Sequence, residues 1–317
     1  MQCFYRLKKI IFPYSWDAVY GRIKEIIAIT FFSSKKINKL VIEENNRKDH
    51  FFSIVTIIKD ESIYIREWIE YHLILGVDHF YLYDNESNDN LHEIIKPYIE
   101  KGIVTYIFCP GQAKQIPAYN DAIVRFKENN HWMAFIDADE FIIINSNLKQ
   151  NLPQFMNSYD NYDLLGVNWC MFDFNNHEHT PTNGYIISNY TRCFADDDHS
   201  INRHIKCIVK PSKVKICINP HYLYMKSKEK CVDEDFNTIK PPFTNHVHMK
   251  KIRINHYFSK SKEEFSKKIS RGKADSAGKR PFLRDSYDFS YAGTKYSEID
   301  LSSFIKILKE KIPETYR

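Results

Sequence analysis

Glycine is scarce, with 9 in 317 residues. A chain so poor in the most permissive residue has little material for flexible linkers. Cysteine builds no framework either. Cys3, Cys109, Cys170, Cys193, Cys207, Cys217 and Cys231 are scattered, odd in number and without a CxxC pair. That pattern argues against a disulfide scaffold or zinc cluster and fits reduced thiols in a cytoplasm. No stretch reaches the roughly 20 uncharged residues that a membrane-spanning helix needs. The N-terminus does not read as a secretory signal, because Arg22, Lys24 and Glu25 interrupt its apolar segment. A strong charge of one sign is missing too, and a net charge of +5 gives no reason to expect a nucleic-acid partner.

What is present is an ordinary globular balance, 43% hydrophobic and 27% charged, over a length that suits one large domain or two smaller ones. Tyr and Phe are abundant, at 21 and 22. Such flat side chains suit sugar or base stacking and suit cores equally well.

The most informative stretch is His131 to Ile143, HWMAFIDADEFII. An apolar run, Trp132 to Ile136, breaks into Asp137-Ala138-Asp139-Glu140 and resumes at Phe141. The run reads as a buried strand with a charged break at its end. Three carboxylates there repel one another and lose hydration unless a cation compensates them. Asp-x-Asp offers hard oxygen ligands suited to Mg²⁺ or Mn²⁺ carrying a phosphate. The alternative is a solvated acidic turn.

Before it, strands and helices alternate. Phe51 to Ile58 is a strand ending at Lys59-Asp60-Glu61, and Ile63 to Leu75 has helical spacing closed by Gly76. His79 to Tyr83 is a strand ending at Asp84-Asn85. A short helix runs to Tyr98, Val104 to Phe108 is a third strand, and 113–129 look helical. This repetition predicts a parallel, twisted sheet with helices on both faces. Ligands in such sheets sit beyond the carboxyl ends of the strands. Three polar clusters fall there, which turns the acidic break from a turn into a site.

Residues 1–48 stand apart as a basic and apolar helical arm, read either as a helix on an anionic membrane surface or as one packed on the main domain. After 150 the pattern loosens. Leu164 to Trp169 and Ile205 to Pro211 are strand candidates, Lys260 to Arg271 a basic helix, 273–295 irregular and Ile299 to Ile312 a closing amphipathic helix. The division expected is an arm (1–48), a catalytic domain (49–275, with a donor half 49–150 and an acceptor half 151–275), and a C-terminal tail and helix (276–317).

Several motifs together resemble glycosyltransferase family 92, a relative of the family 2 transferases. They are Lys59-Asp60-Glu61, Glu67-Trp68-Ile69-Glu70-Tyr71-His72, Leu75-Gly76-Val77-Asp78-His79-Phe80, Tyr83-Asp84-Asn85, Gln115, Tyr119-Asn120 and Phe135-Ile136-Asp137-x-Asp139-Glu140-Phe141. The likeness resumes at Lys206-x-Ile208-Val209-x-Pro211 and runs from Asn255-His256-Tyr257 through Lys268 to Arg271-Gly272. Two departures stand out: Asp60 replaces the usual Asn, and Cys170 to Phe174 lacks small residues after Phe172.

The resemblance implies an α/β GT-A fold and a nucleotide-sugar-dependent, inverting glycosyltransferase. Its donor would be UDP-linked, with a hexose such as galactose, and its acceptor a glycan or lipid-linked glycan. It implies Mn²⁺ or Mg²⁺ held by Asp137, Asp139 and His256, with His246 or His248 as the second choice of imidazole. Donor contacts would come from Lys59, Asp60, Glu61, Asp84, Asn85, Gln115, Asn120 and Asp137, and Lys206, Lys260 and Arg271 would face the diphosphate. The acceptor base would be Asp173, with Asp196, Asp198 and Glu178 as alternatives, and Trp169 would stack on a sugar or fill the core. The expected setting is a bacterial cytoplasm, at the inner face of the membrane, making a surface polysaccharide. Rival readings are a nucleotidyl- or phosphotransferase using the same acids, and an inactive glycan-binding protein.

Overall fold

The computed structural model describes residues 42–43, 49–194, 198–228, 230–271 and 293–312, all within the second of two compact units, Leu40–Arg317. Apart from Ile42–Glu43, the expected N-terminal arm lies outside the described residues. After β1 (Ile42–Glu43), strands and helices alternate: β2 (His50–Ile58), α1 (Ser62–Leu75), β3 (His79–Asp84), α2 (Leu91–Glu100), β4 (Val104–Phe108), α3 (Gln115–Phe126) and β5 (Asn130–Phe135). Next come β6 (Glu140–Ile144), α4 (Leu152–Met156), β7 (Leu164–Met171), α5 (Ile186–Asn189), β8 (Arg192–Phe194) and β9 (Ile205–Val209). The chain continues through β10 (Val214–Asn219), β11 (Tyr222–Met225), β12 (Cys231–Val232), β13 (Ile252–His256), α6 (Lys262–Arg271), β14 (Thr294–Tyr296) and α7 (Ser302–Lys311).

The local sequence explains the first half. Trp68, Ile69, Tyr71, His72 and Leu75 give α1 its buried side, and Gly76 stops it at a φ of 106°, where its N–H reaches the carbonyls of His72 and Leu73. A left-handed residue closing a helix in this way is the role glycine takes most readily. Along β2 to β5 alternate residues go to opposite faces. Phe52, Ile54, Phe80, Leu82, Trp132 and Ala134 enter one hydrophobic cluster, with α1 and α2. Val55, Ile57, Tyr81, Tyr83, Met133 and Phe135 enter a second, with α3 and the β10–β11 hairpin. Both faces are covered, as a parallel sheet requires.

The large sheet runs β1-β4-β3-β2-β5-β9-β7-β13-β6, with β12 on β7. β2 to β5 are parallel to one another; β9 runs against β5 and β7, β13 lies parallel to β7, and β6 runs against β13. The expected α/β fold, a mixed and mostly parallel sheet flanked by helices, is the one observed. The C-terminal helix is present as α7, whose Leu308 joins the first hydrophobic cluster. Chain order reverses between β2 and β5, which makes their carboxyl ends a topological switch point.

The apolar run that resumes at Phe141 is not a continuation of the preceding strand: Ile136 to Asp139 carry the chain from β5 to the last position in the sheet, β6. Five residue steps span at most about 17 Å, whereas four strand spacings laid flat need about 19 Å. The sheet therefore curls, which brings its end strand closer to β5 than a flat sheet would. Among the described residues no helix is long and apolar enough to cross a membrane. The six described cysteines are buried and unbridged.

Candidate functional site

The acidic turn occupies the link from β5 to β6 and is drawn inward. Asp139 and Glu140 are buried, and Asp137 is half-buried. Asp137 Oδ1 accepts from Gln115 Nε2 at 2.7 Å and from the Tyr119 hydroxyl at 3.3 Å, so the start of α3 fixes it. Asp137 Oδ2 accepts from Lys206 Nζ at 2.9 Å, and the same ammonium stands 3.4 Å from Glu140 Oε2. Lys206 is the second residue of β9, with its side chain 1% exposed. Glu140 closes the turn on itself by accepting the Asp137 N–H at 2.9 Å.

Asp139 takes its partners from the C-terminal part of the chain. Lys268, on α6, donates to Asp139 Oδ2 and, at 3.0 Å, to the Phe258 carbonyl. His256, the last residue of β13, brings Nε2 to 3.6 Å from Asp139 Oδ1 and Nδ1 to 3.7 Å from Glu140 Oε1. Burial alone would push both aspartates up. Lys206 overrides it at Asp137, and Lys268 with His256 overrides it at Asp139, so both are held below the usual carboxylate range. Glu140 goes the other way: burial pushes it well up, and Asp137 and Asp139 add to this against the pull of Lys206. Burial also lowers His256, which favours the neutral imidazole that a metal requires.

The donor set fits a hard divalent ion in kind, with two ionised carboxylates and a neutral imidazole. Glu140 Oε1 and His256 Nδ1 are buried without hydrogen-bond partners beside Asp139. Among the described residues, however, no group of three or more His, Cys, Asp or Glu is arranged to hold a metal ion, and lysine ammoniums occupy one oxygen of each aspartate.

The other expected residues divide into those at the site and those that brace it. Glu61 accepts from Lys260 Nζ at 2.9 Å. Burial would lower Lys260, but Glu61, Glu264 and Asp139 together raise it, which ties the loop after β2 to the acidic turn. Asp60 lies in the left-handed region (φ 54°), bonds Ser87 Oγ through its N–H and accepts from Asn88 N. Asp84, at the end of β3, accepts from Ser87 N at 2.9 Å and the Tyr106 hydroxyl at 2.8 Å. Asn85 donates to the carbonyls of Cys109 and Gly111. Lys59 follows β2, half-buried.

Several of the expected residues meet different surroundings. Asn120, expected on the donor, donates to the Cys217 carbonyl at 2.8 Å and accepts from the Cys217 N–H at 2.9 Å, so it pins β10 to α3. Asp173 is buried and forked by Arg192, whose Nε lies 3.1 Å from Asp173 Oδ2; the other oxygen accepts from Asn175 N. Its charge is neutralised within the fold. Asp198 is half-exposed and paired with Arg203, Glu178 is exposed and paired with Lys262, and Asp196 lies outside the described residues. His246 faces Asp198, and His248 faces Asp233 and Asp235, which leaves His256 as the imidazole beside Asp139. The Arg271 side chain is outside the description; its backbone ends α6. Trp169 is buried among the rings of His204, His221 and His256, with centroids at 4.9, 4.8 and 4.4 Å. Lys268 had no assigned role in the sequence reading, although it falls within a quoted motif; its spacing on a basic helix resembles that of any solvated lysine.

The acidic pair at the switch point of this sheet is thus faced by Lys206, Lys260, Lys268 and His256. Residues 48–293 match the model of glycosyltransferase family 92, and the chain belongs to that family. Its α/β architecture, a mixed and mostly parallel sheet flanked by helices, is the one that the motifs implied.

A family 92 protein of Ricinus communis is 26% identical over 229 residues, covering 71% of this chain and 38% of its own. An Arabidopsis thaliana galactan beta-1,4-galactosyltransferase, GALS3, is 32% identical over 113 residues, covering 32% of this chain and 22% of its own. The chain thus spans under two-fifths of the length of these relatives. Both are plant proteins, which runs against the expected bacterial source. Among solved structures, residues 1–349 of S. aureus TarS give a TM-score of 0.38 at 16% identity, covering 66% of this chain and 61% of that one.

Proposed function

We propose that this chain transfers a hexose, galactose first among the candidates, from a UDP-sugar to a glycan acceptor with inversion, dependent on Mn²⁺ or Mg²⁺. The observation that supports it most is the convergence on Asp137 and Asp139, at the carboxyl end of β5, of Lys206, Lys260, Lys268 and a neutral His256. Galactose is favoured by the galactan beta-1,4-galactosyltransferase GALS3, which matches about a third of the chain.

Asp137, Asp139 and His256 would hold the ion. When bound, it supplies a Lewis acid that neutralises charge developing on the departing diphosphate. The remaining work is done by the protein. Lys206, buried, keeps Asp137 ionised and oriented. Gln115 and Tyr119 hold the other oxygen of Asp137 in place. Asp84, the last residue of β3, and Glu61, beyond β2, border the same carboxyl edge and suit the hydroxyls and imide of a nucleoside.

The test is thermal shift with UDP, UDP-galactose, UDP-glucose and UDP-N-acetylglucosamine, with and without Mn²⁺, on the wild type and Asp139→Asn. Stabilisation that needs the ion and is lost in the variant supports the reading, and the ranking of the sugars reports the donor. A response to UDP-sugars that is identical without metal, or in Asp139→Asn, overturns the metal-held donor site.

A further inference from the structure

Two ammonium groups neutralise the acidic pair, and they differ in one respect that matters. Lys206 lies in β9, 1% exposed, held between Asp137 and Glu140. Lys268 reaches in from α6, 17% exposed, with a long stem and two further contacts: the Phe258 carbonyl at 3.0 Å and the Phe258 ring, 3.9 Å from its centroid. One is built into the sheet; the other approaches from a helix at its margin. Asp139 Oδ2 is taken by Lys268, while Oδ1 lies beside His256. A divalent ion seated on Asp139 and His256 meets the Lys268 ammonium at the same carboxylate, and two cations within a few ångströms in a poorly hydrated site repel strongly.

On the metal-dependent reading above, we propose that Lys268 is an exchangeable counter-ion: it neutralises Asp139 in the empty enzyme, yields that carboxylate to the incoming divalent ion, and then pairs with the donor diphosphate. The group is a single charge with three donors on a flexible stem, which suits a phosphate oxygen. Phe258 gives it somewhere to rest, since its ring face and carbonyl hold the ammonium without Asp139. The exchange also keeps the site's charge in balance. The empty site keeps Asp139 compensated, and the loaded site gains the ion's two positive charges together with the donor's negative phosphates.

This assigns Lys268 two effects of opposite sign. Removing its charge should tighten binding of Mn²⁺ alone, since the ion no longer competes, and weaken binding of UDP to the Mn²⁺-loaded protein, since a phosphate partner is gone. Partners of metal ligands commonly alter metal affinity by about tenfold to a hundredfold, and a shift of that order is expected here.

The experiment is Mn²⁺ titration read by the electron paramagnetic resonance of the free ion, followed by UDP titration calorimetry at saturating Mn²⁺. The proteins are the wild type, Lys268→Met and Lys268→Arg. Expected is tighter Mn²⁺ and weaker UDP binding in Lys268→Met, with both values near wild type in Lys268→Arg. Mn²⁺ affinity in Lys268→Met that equals or falls below wild type overturns the exchange while leaving the metal site standing. Failure of every protein to bind Mn²⁺, with UDP still bound, overturns the metal reading and this inference together.

Discussion

Replacing Lys206 with methionine keeps most of the stem's volume and removes the one ammonium shared by Asp137 and Glu140. Its Nζ lies 2.9 Å from Asp137 Oδ2 and 3.4 Å from Glu140 Oε2, with Lys206 and Glu140 buried and Asp137 half-buried. At an effective dielectric near 20, each contact is worth about 5 kcal/mol of attraction. Much of that is offset by the cost of burying three charges, and breaking such a pair from one side costs about 3–5 kcal/mol. The loss should depend on pH. Lys206 pulls down both carboxyls, so without it Glu140 rises further above its unfolded value and Asp137 loses the attraction that holds it below its own. A group with a raised folded pKa contributes stability that is present at low pH and lost as pH rises. The deficit of the variant should therefore be largest near pH 8 and narrow towards pH 5, as Glu140 takes up a proton. Urea unfolding followed by fluorescence of the buried Trp68, Trp132 and Trp169 would measure it. A loss under about 1 kcal/mol, the range of an exposed ion pair, and equal at both pH values would refute the reasoning.

Three further outcomes follow from other parts of the fold. Burial pushes His72, His79 and His221 down to about 3, so each is neutral in the folded protein and charged in the unfolded chain below pH 6.5. Their stabilisation is complete above that pH, and each should cost about 1.4 kcal/mol per pH unit as pH falls from 6.5 towards 3; an acid titration of unfolding free energy with no downward curvature below 6.5 would contradict this. Gly166→Ala on β7 would set a Cβ 2.3 Å from Ile239 Cδ1 and 2.8 Å from Ile205 Cδ1, and overpacking of that kind costs about 1–3 kcal/mol in a denaturant melt. Glu67 accepts the N–H groups of Ile186 and Ile187 at 2.8 and 3.2 Å, so Glu67→Ala should lower stability by about 1–3 kcal/mol for each amide left bare, with faster hydrogen exchange at those two amides as the check.

The first half of the fold was legible because its contacts are local. Each strand from β2 to β5 is an apolar run joined to the next by one helix, so hydrophobic period and punctuation suffice. Acidic and amide residues beyond those strands point to the carboxyl edge as the candidate site. The second half was harder because its pairing ignores chain order: β9 inserts between β5 and β7, and β13 lies between β7 and β6. β13 looks unlike a strand in sequence since Arg253 and Asn255 interrupt it, yet both are buried and bond each other at 2.8 Å. Asn120 shows the complementary failure. A buried amide on a helix facing a candidate site reads as a ligand contact until the hairpin it pins is seen. Lys268 escaped notice because it becomes distinctive only when α6 folds back onto Asp139, 129 residues earlier in the chain.

The link from β5 to β6 joins the middle of the sheet to its edge in four residues, two of which are the acids of the site. It acts as a drawstring: its length fixes how tightly the sheet is rolled. An extra residue inserted between Ile136 and Glu140 would slacken the roll and displace both acids in one step, so neither curvature nor chemistry can drift alone. A ligand gripping Asp137 and Asp139 would pull on strands four places apart. Donor loading should therefore slow exchange of the β6 and β13 amides as well as those beside the acids themselves.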